Sequence, residues 1–178
     1  MSDIDAALKR FLAGDTSAFQ QFVDATSDRM IRLSARMMGS LADAEDVVQE
    51  AYVKAYQALA QGRFDSRSKP ETWLYRIVTN ASIDALRRRA RGRTSSDEAV
   101  EPEFDGVASA EARVALGEIE DWLGQLPPEQ RAAITLKALE GMTSAEVAEV
   151  LDCSEGAVEQ RLVRARAALR EMRHEDHD

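Results

Sequence analysis

Apolar residues in this chain recur three and four positions apart, and no run alternates apolar with β-branched residues for long enough to build a sheet. That spacing predicts an all-α fold. At about 100° per residue, Ala44, Val48, Ala51, Tyr52, Ala55 and Leu59 line one side of a helix from Leu41 to about Ala60, with Asp43, Asp46, Glu50, Lys54 and Gln57 opposite. Before it, a helix is predicted over Ile4–Ala13, ended by Gly14, and another from Asp15 or Thr16 with Phe19, Phe22 and Val23 inward, running into or followed by Asp28–Met38. Pro70 suits a first helical turn, because its missing N–H has no partner to lose there. The helix it opens is expected to reach about Arg89, with Leu74, Ile77, Val78, Ala81 and Ala85 on one side and Trp73, Arg76, Asn80, Asp84 and Arg87 on the other.

Charge then divides the chain. Residues 1–93 carry 15 Lys and Arg against 12 Asp and Glu, residues 94–125 carry 1 against 9, and residues 126–178 carry 7 against 11. Gly, Ser, Pro and acids with little apolar patterning predict a flexible acidic linker over 94–109, since such a segment buries too little surface to offset its ordering entropy. Two small helical domains are expected around it, 1–93 and 110–178. In the second, helices are predicted over Ala110–Leu123 and from Pro127 and Pro128 to before Gly141. Thr143 and Glu146 have capping-box spacing for a short helix to Leu151, and Ser154 caps a long one with Val158, Leu162, Ala165 and Leu169 inward and a frayed HEDHD tail.

No apolar run approaches the roughly 18 to 20 residues of a membrane span, and the N-terminus lacks an export signal, so a cytoplasmic protein without membrane insertion is expected. The one cysteine, Cys153, cannot form an internal disulfide and is read as a small packing residue. Asp46 and Glu50 stand one turn apart, but a helical di-metal site needs two Glu-x-x-His pairs, and only Glu171 with His174 fits. No metal, cofactor or catalytic residue is expected; there is no nucleophile–base pair and no glycine-rich phosphate loop.

The chemistry lies in basic clusters, despite a net charge of −9. Two short helices joined by a tight turn, with arginines on the second, match a helix-turn-helix whose second helix enters a major groove. Gln160, Val163, Arg164 and Ala167 face away from its core stripe, with Arg161 on one flank. An ordinary surface helix, its arginines paired with Glu155 and Glu159, is the other reading. Arg76, Asn80 and Arg87 share a face with Trp73 and lead into the run RRRARGR, a composition suited to unstacked bases and single-strand backbone. Equally, Trp73 could be core and Asn80 a partner of Asp84. The acidic face of the Asp43 helix suits either solvent or a basic partner.

In this order, DAEDVVQEAYVKAY (Asp43–Tyr56), FDSRSKPETWLYRIVTNASIDALRRR (Phe64–Arg89), LPPEQRAAITLKALEGMTSAEVAEVL (Leu126–Leu151) and EGAVEQRLVRARAALRE (Glu155–Glu171) resemble the bacterial RNA polymerase sigma factors of the extracytoplasmic-function type. The resemblance covers nearly the whole chain. It implies a transcription initiation factor, not an enzyme, with core RNA polymerase and promoter DNA as partners, a stress-response role, and an anti-sigma factor that clamps the domains together.

Under that resemblance Asp43, Asp46, Gln49 and Glu50 dock on the β′ clamp helices, and further contact falls on the β subunit. Lys69, Thr72, Trp73, Arg76, Asn80, Arg87 and Arg88 recognise and melt the −10 element. Gln160, Arg161 and Arg164 read the −35 element. Asp97, Glu98, Glu101, Glu103 and Asp105 pass through the polymerase as a partial nucleic-acid mimic. Two departures stand out: Glu159 occupies a place where the family often has a basic residue, and Glu155 adds a second negative charge, which together imply feeble DNA binding by the C-terminal domain alone. The loop SRSKPE also departs, leaving the −10 sequence open. An operator-binding regulator would leave DAEDVVQE and the tryptophan helix unexplained, and a small metalloenzyme lacks ligands.

Overall fold

The computed structural model describes residues 3–64, 68–92 and 121–175, and every regular element among them is helical. Helix α1 (Asp3–Leu12) leads through a tight turn into α2 (Ala18–Met38), a single helix through both predicted stretches. Gly39 ends it at φ 67°, a left-handed conformation in which its N–H reaches the Ala35 carbonyl at 2.8 Å. Ser40 then caps α3 (Leu41–Ala60) by accepting the Asp43 N–H. Helix α4 (Pro70–Gly92) outruns its predicted end at Arg89 by nearly a turn.

After a described helical stretch at 121–125 come α5 (Pro128–Ile134), continuing as a π-helical turn (Thr135–Leu139), then α6 (Ser144–Leu151) and α7 (Glu155–Glu175). The predicted capping box forms in full: Thr143 Oγ1 accepts the Glu146 N–H at 3.2 Å while Glu146 accepts the Thr143 N–H at 2.8 Å. Helix α7 carries through His174 and Glu175, and the rest of the HEDHD tail lies outside the described residues. The expected linker at 94–109 and most of the helix expected before Leu123 lie outside the described residues. No helix among the described residues is long and apolar enough to cross a membrane.

One apolar cluster runs through both halves. Phe22, Met30 and Leu33 of α2, Val48, Ala51 and Tyr52 of α3, and Leu74, Tyr75 and Val78 of α4 join Ala133, Leu136, Val147, Val150, Val158 and Leu162. Burying a side chain of this size contributes about 1.5–3 kcal/mol. The predicted stripe on α4 therefore describes only part of its buried surface. Tyr75, Thr79, Ser82, Ile83 and Leu86 are buried as well, because α2, α5 and α6 together cover a face of α4 that periodicity leaves unassigned. Two pairs of buried hydroxyls meet inside, Tyr52 Oη 2.7 Å from Thr26 Oγ1 and Ser82 Oγ 3.1 Å from Ser34 Oγ, whereas Thr79 Oγ1, Thr135 Oγ1 and Arg131 Nε are buried without a hydrogen-bond partner among the described residues.

Candidate nucleic-acid and polymerase interfaces

The face of α3 opposite its buried Ala44, Val48, Ala51 and Ala55 presents Asp46, Gln49 and Glu50 to solvent. Asp43, near the helix start, is half-buried and held by Arg89 of α4, whose Nη1 lies 3.3 Å from its carboxylate. Three of the four predicted docking residues thus form one open acidic patch, and the fourth braces α4.

A cavity of about 440 Å³ opens beside the first half of α4, lined by Thr72, Trp73, Arg76 and Asn80 with Arg63 and Ser68 from the preceding connection. Trp73 is partly core and partly open. Its ring is half-buried against the core and meets Phe64 edge-on at 5.2 Å, while it also lines the cavity. Asn80 is exposed, and Asp84 pairs with Arg87 at 3.5 Å. Lys69 stands exposed just before α4, and Arg87 and Arg88 extend the basic surface along it. The resemblance implies a −10 role for the loop before α4 without naming Arg63 or Ser68, a cation and a hydroxyl within that loop.

Acids of the other half already touch this surface. Asp152 lies 3.1 Å from Arg76, Glu149 lines the cavity, and Glu129 bonds Arg87. Burial pushes the Glu129 carboxyl up, but a backbone N–H and Arg87 outweigh it, so the net shift is downward.

Helices α6 and α7 form the predicted helix-turn-helix. Asp152 makes the turn at φ 51°, ψ 50°, a left-handed conformation that Asp tolerates better than most residues. Ser154 Oγ then accepts the Ala157 N–H at 3.2 Å. Val158, Leu162 and Ala165 turn inward and are buried; Gln160, Val163 and Arg164 are exposed. Arg161 differs from these in being half-buried, with Nη1 3.4 Å from Cys153 Sγ. Glu159 accepts a hydrogen bond from Ser144 Oγ at 2.5 Å, so it ties α7 to the start of α6.

Comparison with known proteins places both halves. The Sigma-70 region 2 family model matches residues 22–92 and the Sigma-70 region 4 model residues 116–169. The ECF RNA polymerase sigma factor SigW of Bacillus subtilis is 34% identical, over 95% of this chain and 96% of its own length. The ECF RNA polymerase sigma-E factor of Escherichia coli is 36% identical over 91% of this chain and 90% of its own. Among solved structures, CnrH in complex with the cytosolic domain of CnrY superimposes with a TM-score of 0.70, 29% identity and coverage of 98% and 99% of the two chains. The sigma factor RpoE in complex with the anti-sigma factor NepR, from Bartonella quintana, gives 0.66 and 26%, covering 86% and 95%.

Proposed function

The chain belongs to the extracytoplasmic-function group of RNA polymerase sigma factors, and from that membership we infer that it binds core RNA polymerase, directs it to promoters through −35 and −10 elements, and aids strand opening. The observation that carries this reading is the pair of sigma-70 matches, region 2 then region 4, in the order the fold presents them. The reading divides the chain into a core-binding and −10 domain over 1–93, an acidic linker over 94–109 and a −35 domain over 110–178. It gives the protein no catalytic centre of its own and places it in the cytoplasm with the polymerase. Two solved relatives are held by CnrY and by the anti-sigma factor NepR, and an anti-sigma factor is assigned here on that likeness.

The open patch Asp46, Gln49 and Glu50, with Asp43 at its edge, is assigned to the β′ clamp helices, and contact with the β subunit completes core binding. The cavity residues Thr72, Trp73, Arg76 and Asn80, with Lys69, Arg87 and Arg88 beside them, are assigned to the opened −10 strand, where an aromatic face stacks on a base and cations track the backbone. Gln160, Arg161 and Arg164 are assigned to the −35 duplex: Gln suits adenine, Arg guanine or phosphate. Transcription from a cognate promoter by core polymerase, with and without the protein, tests the whole reading. No dependence on the protein would overturn it.

Two substitutions test the parts. Asn80→Ala in the holoenzyme is expected to slow promoter opening about tenfold, read as the rise in fluorescence of 2-aminopurine placed in the −10 element. Unchanged opening would remove Asn80 from the strand-reading surface. At position 159, Glu159→Lys is expected to tighten duplex binding by the full chain several-fold at about 0.1 M salt and to steepen its salt dependence by about one ion. Because Glu159 also holds Ser144, Glu159→Gln is the control that keeps a hydrogen-bonding side chain without the charge. No gain from either would show that the charge at 159 does not limit affinity.

A further inference from the structure

Glu159 stands in the second turn of α7, one position before Gln160, on the flank of the helix that faces the start of α6. Its side chain is exposed but not loose. Ser144, the first residue of α6, donates its Oγ hydrogen to Oε1 at 2.5 Å. Oε2 has no partner among the described residues, and there neither Glu155 nor Glu159 pairs with an arginine of α7. These acids are therefore not counter-charges for the arginines beside them.

The flank around Glu159 is open to another molecule. Val163, one turn further on, is 61% exposed. A Cβ on Gly156, one turn back, would have space around it, with Ser154 Oγ the nearest contact at 3.9 Å, and a bare backbone there lets another molecule approach the helix closely. Between the two lies one carboxylate oxygen, held in place and unused.

A carboxylate only accepts hydrogen bonds. Among the base edges in a major groove, guanine presents N7 and O6 and thymine presents O4, acceptors that repel it, and adenine sets its N6 amino group directly beside the acceptor N7. Cytosine alone offers an amino donor, N4, with no acceptor on the same edge. An acceptor fixed in one conformation before contact loses little freedom on making that bond.

We propose that Glu159 is a specificity-determining residue of the −35 contact: its free oxygen accepts the N4 amino group of a cytosine, and Ser144 is the positioning residue that aims it. The proposal rests on the assignment of α7 to the −35 duplex and adds a base identity to that assignment. The charge that weakens attraction to phosphates in general is, at this one base pair, a selector. Tighter duplex binding by Glu159→Lys and loss of selectivity at this position are then two results of one change.

The test is selection by the holoenzyme, core polymerase with the full chain, from a promoter library randomised through the −35 and −10 windows. The parent is expected to enrich cytosine about fivefold over the other bases at one −35 position. Glu159→Gln should move that position, and no other, from cytosine to adenine, because an amide both donates to N7 and accepts from N6. Glu159→Ala should leave the position without a preferred base. Ser144→Ala should keep cytosine preferred but cut its enrichment about twofold. Thr143 and Glu146 still cap α6 in that variant, and thermal melting checks the fold of each.

A −35 profile unaltered by Glu159→Gln and Glu159→Ala overturns the proposal, as do changes spread over the whole window or confined to a position where the parent prefers another base. Undiminished cytosine enrichment with Ser144→Ala removes the positioning role. Failure of the underlying assignment looks different, because the −35 window then stays random with the parent while the −10 window is enriched.

Discussion

Replacing Asp46 and Glu50 together by lysine is expected to abolish stable binding to core polymerase and to lower promoter-specific transcription at least about 100-fold, since like charges set against one another cost several kcal/mol. Both side chains are exposed on α3, one turn apart, and both point away from the stripe that packs on α2 and α4. Lysine and glutamate have similar helix propensities, so α3 should persist and the melting temperature should move little. Fluorescence anisotropy of the labelled chain against core polymerase separates the two effects. Parent-like affinity with an unchanged melting curve would mean that this patch faces solvent in the holoenzyme. Asp43 is the poorer choice for the experiment, because its carboxylate braces Arg89 and a loss there would mix docking with packing.

The second large effect is on stability. Arg131 is 7% exposed, and its guanidinium is surrounded by carbonyls: Nη1 donates to Met37 at 2.6 Å, and Nη2 to Leu126 at 3.3 Å and to Gly124. Burial, and then the nearby charge of Arg89, lower its pKa to about 10, so it remains charged at neutral pH. The Met37 carbonyl belongs to the last turn of α2, where the helix dipole favours a cation. Arg131→Met preserves bulk but strands three acceptors, two of them inside the protein, and is expected to cost about 2–4 kcal/mol. Urea unfolding followed by circular dichroism should show the midpoint falling by about 1–2 M. A shift below a few tenths of a molar would mean that water satisfies those carbonyls and that the guanidinium contributes little.

Local signals made much of this architecture legible. Gly39, Ser40 and an unbroken apolar stripe bounded α3 because a left-handed stop, a cap and a periodicity coincide within a few residues. The Thr143–Glu146 box did the same for α6. What escaped was contact between residues distant in the chain. Glu140 meets Arg36 and Tyr75 across separations of 104 and 65 residues, and no window of periodicity reaches that far. The second buried face of α4 escaped for the same reason, since Thr79 and Ser82 look like surface residues until α2, α5 and α6 pack on α4. The site divides similarly. Trp73, Arg76 and Asn80 were legible as one helical face, whereas Arg63 and Ser68 join them only through the path of the loop.

The turn from Thr135 to Leu139 holds one residue more than an α-helical turn needs. Deleting any single residue there would let α5 run on as an ordinary helix and would rotate everything after it by about 100°. Glu140 would swing off Arg36 and Tyr75, and the helix-turn-helix would leave α4. Substitutions in this turn can be absorbed where the side chain is exposed, as at Leu139. Insertions and deletions cannot, so among related chains the residue count from Pro128 to Thr143 should vary less than the residues themselves.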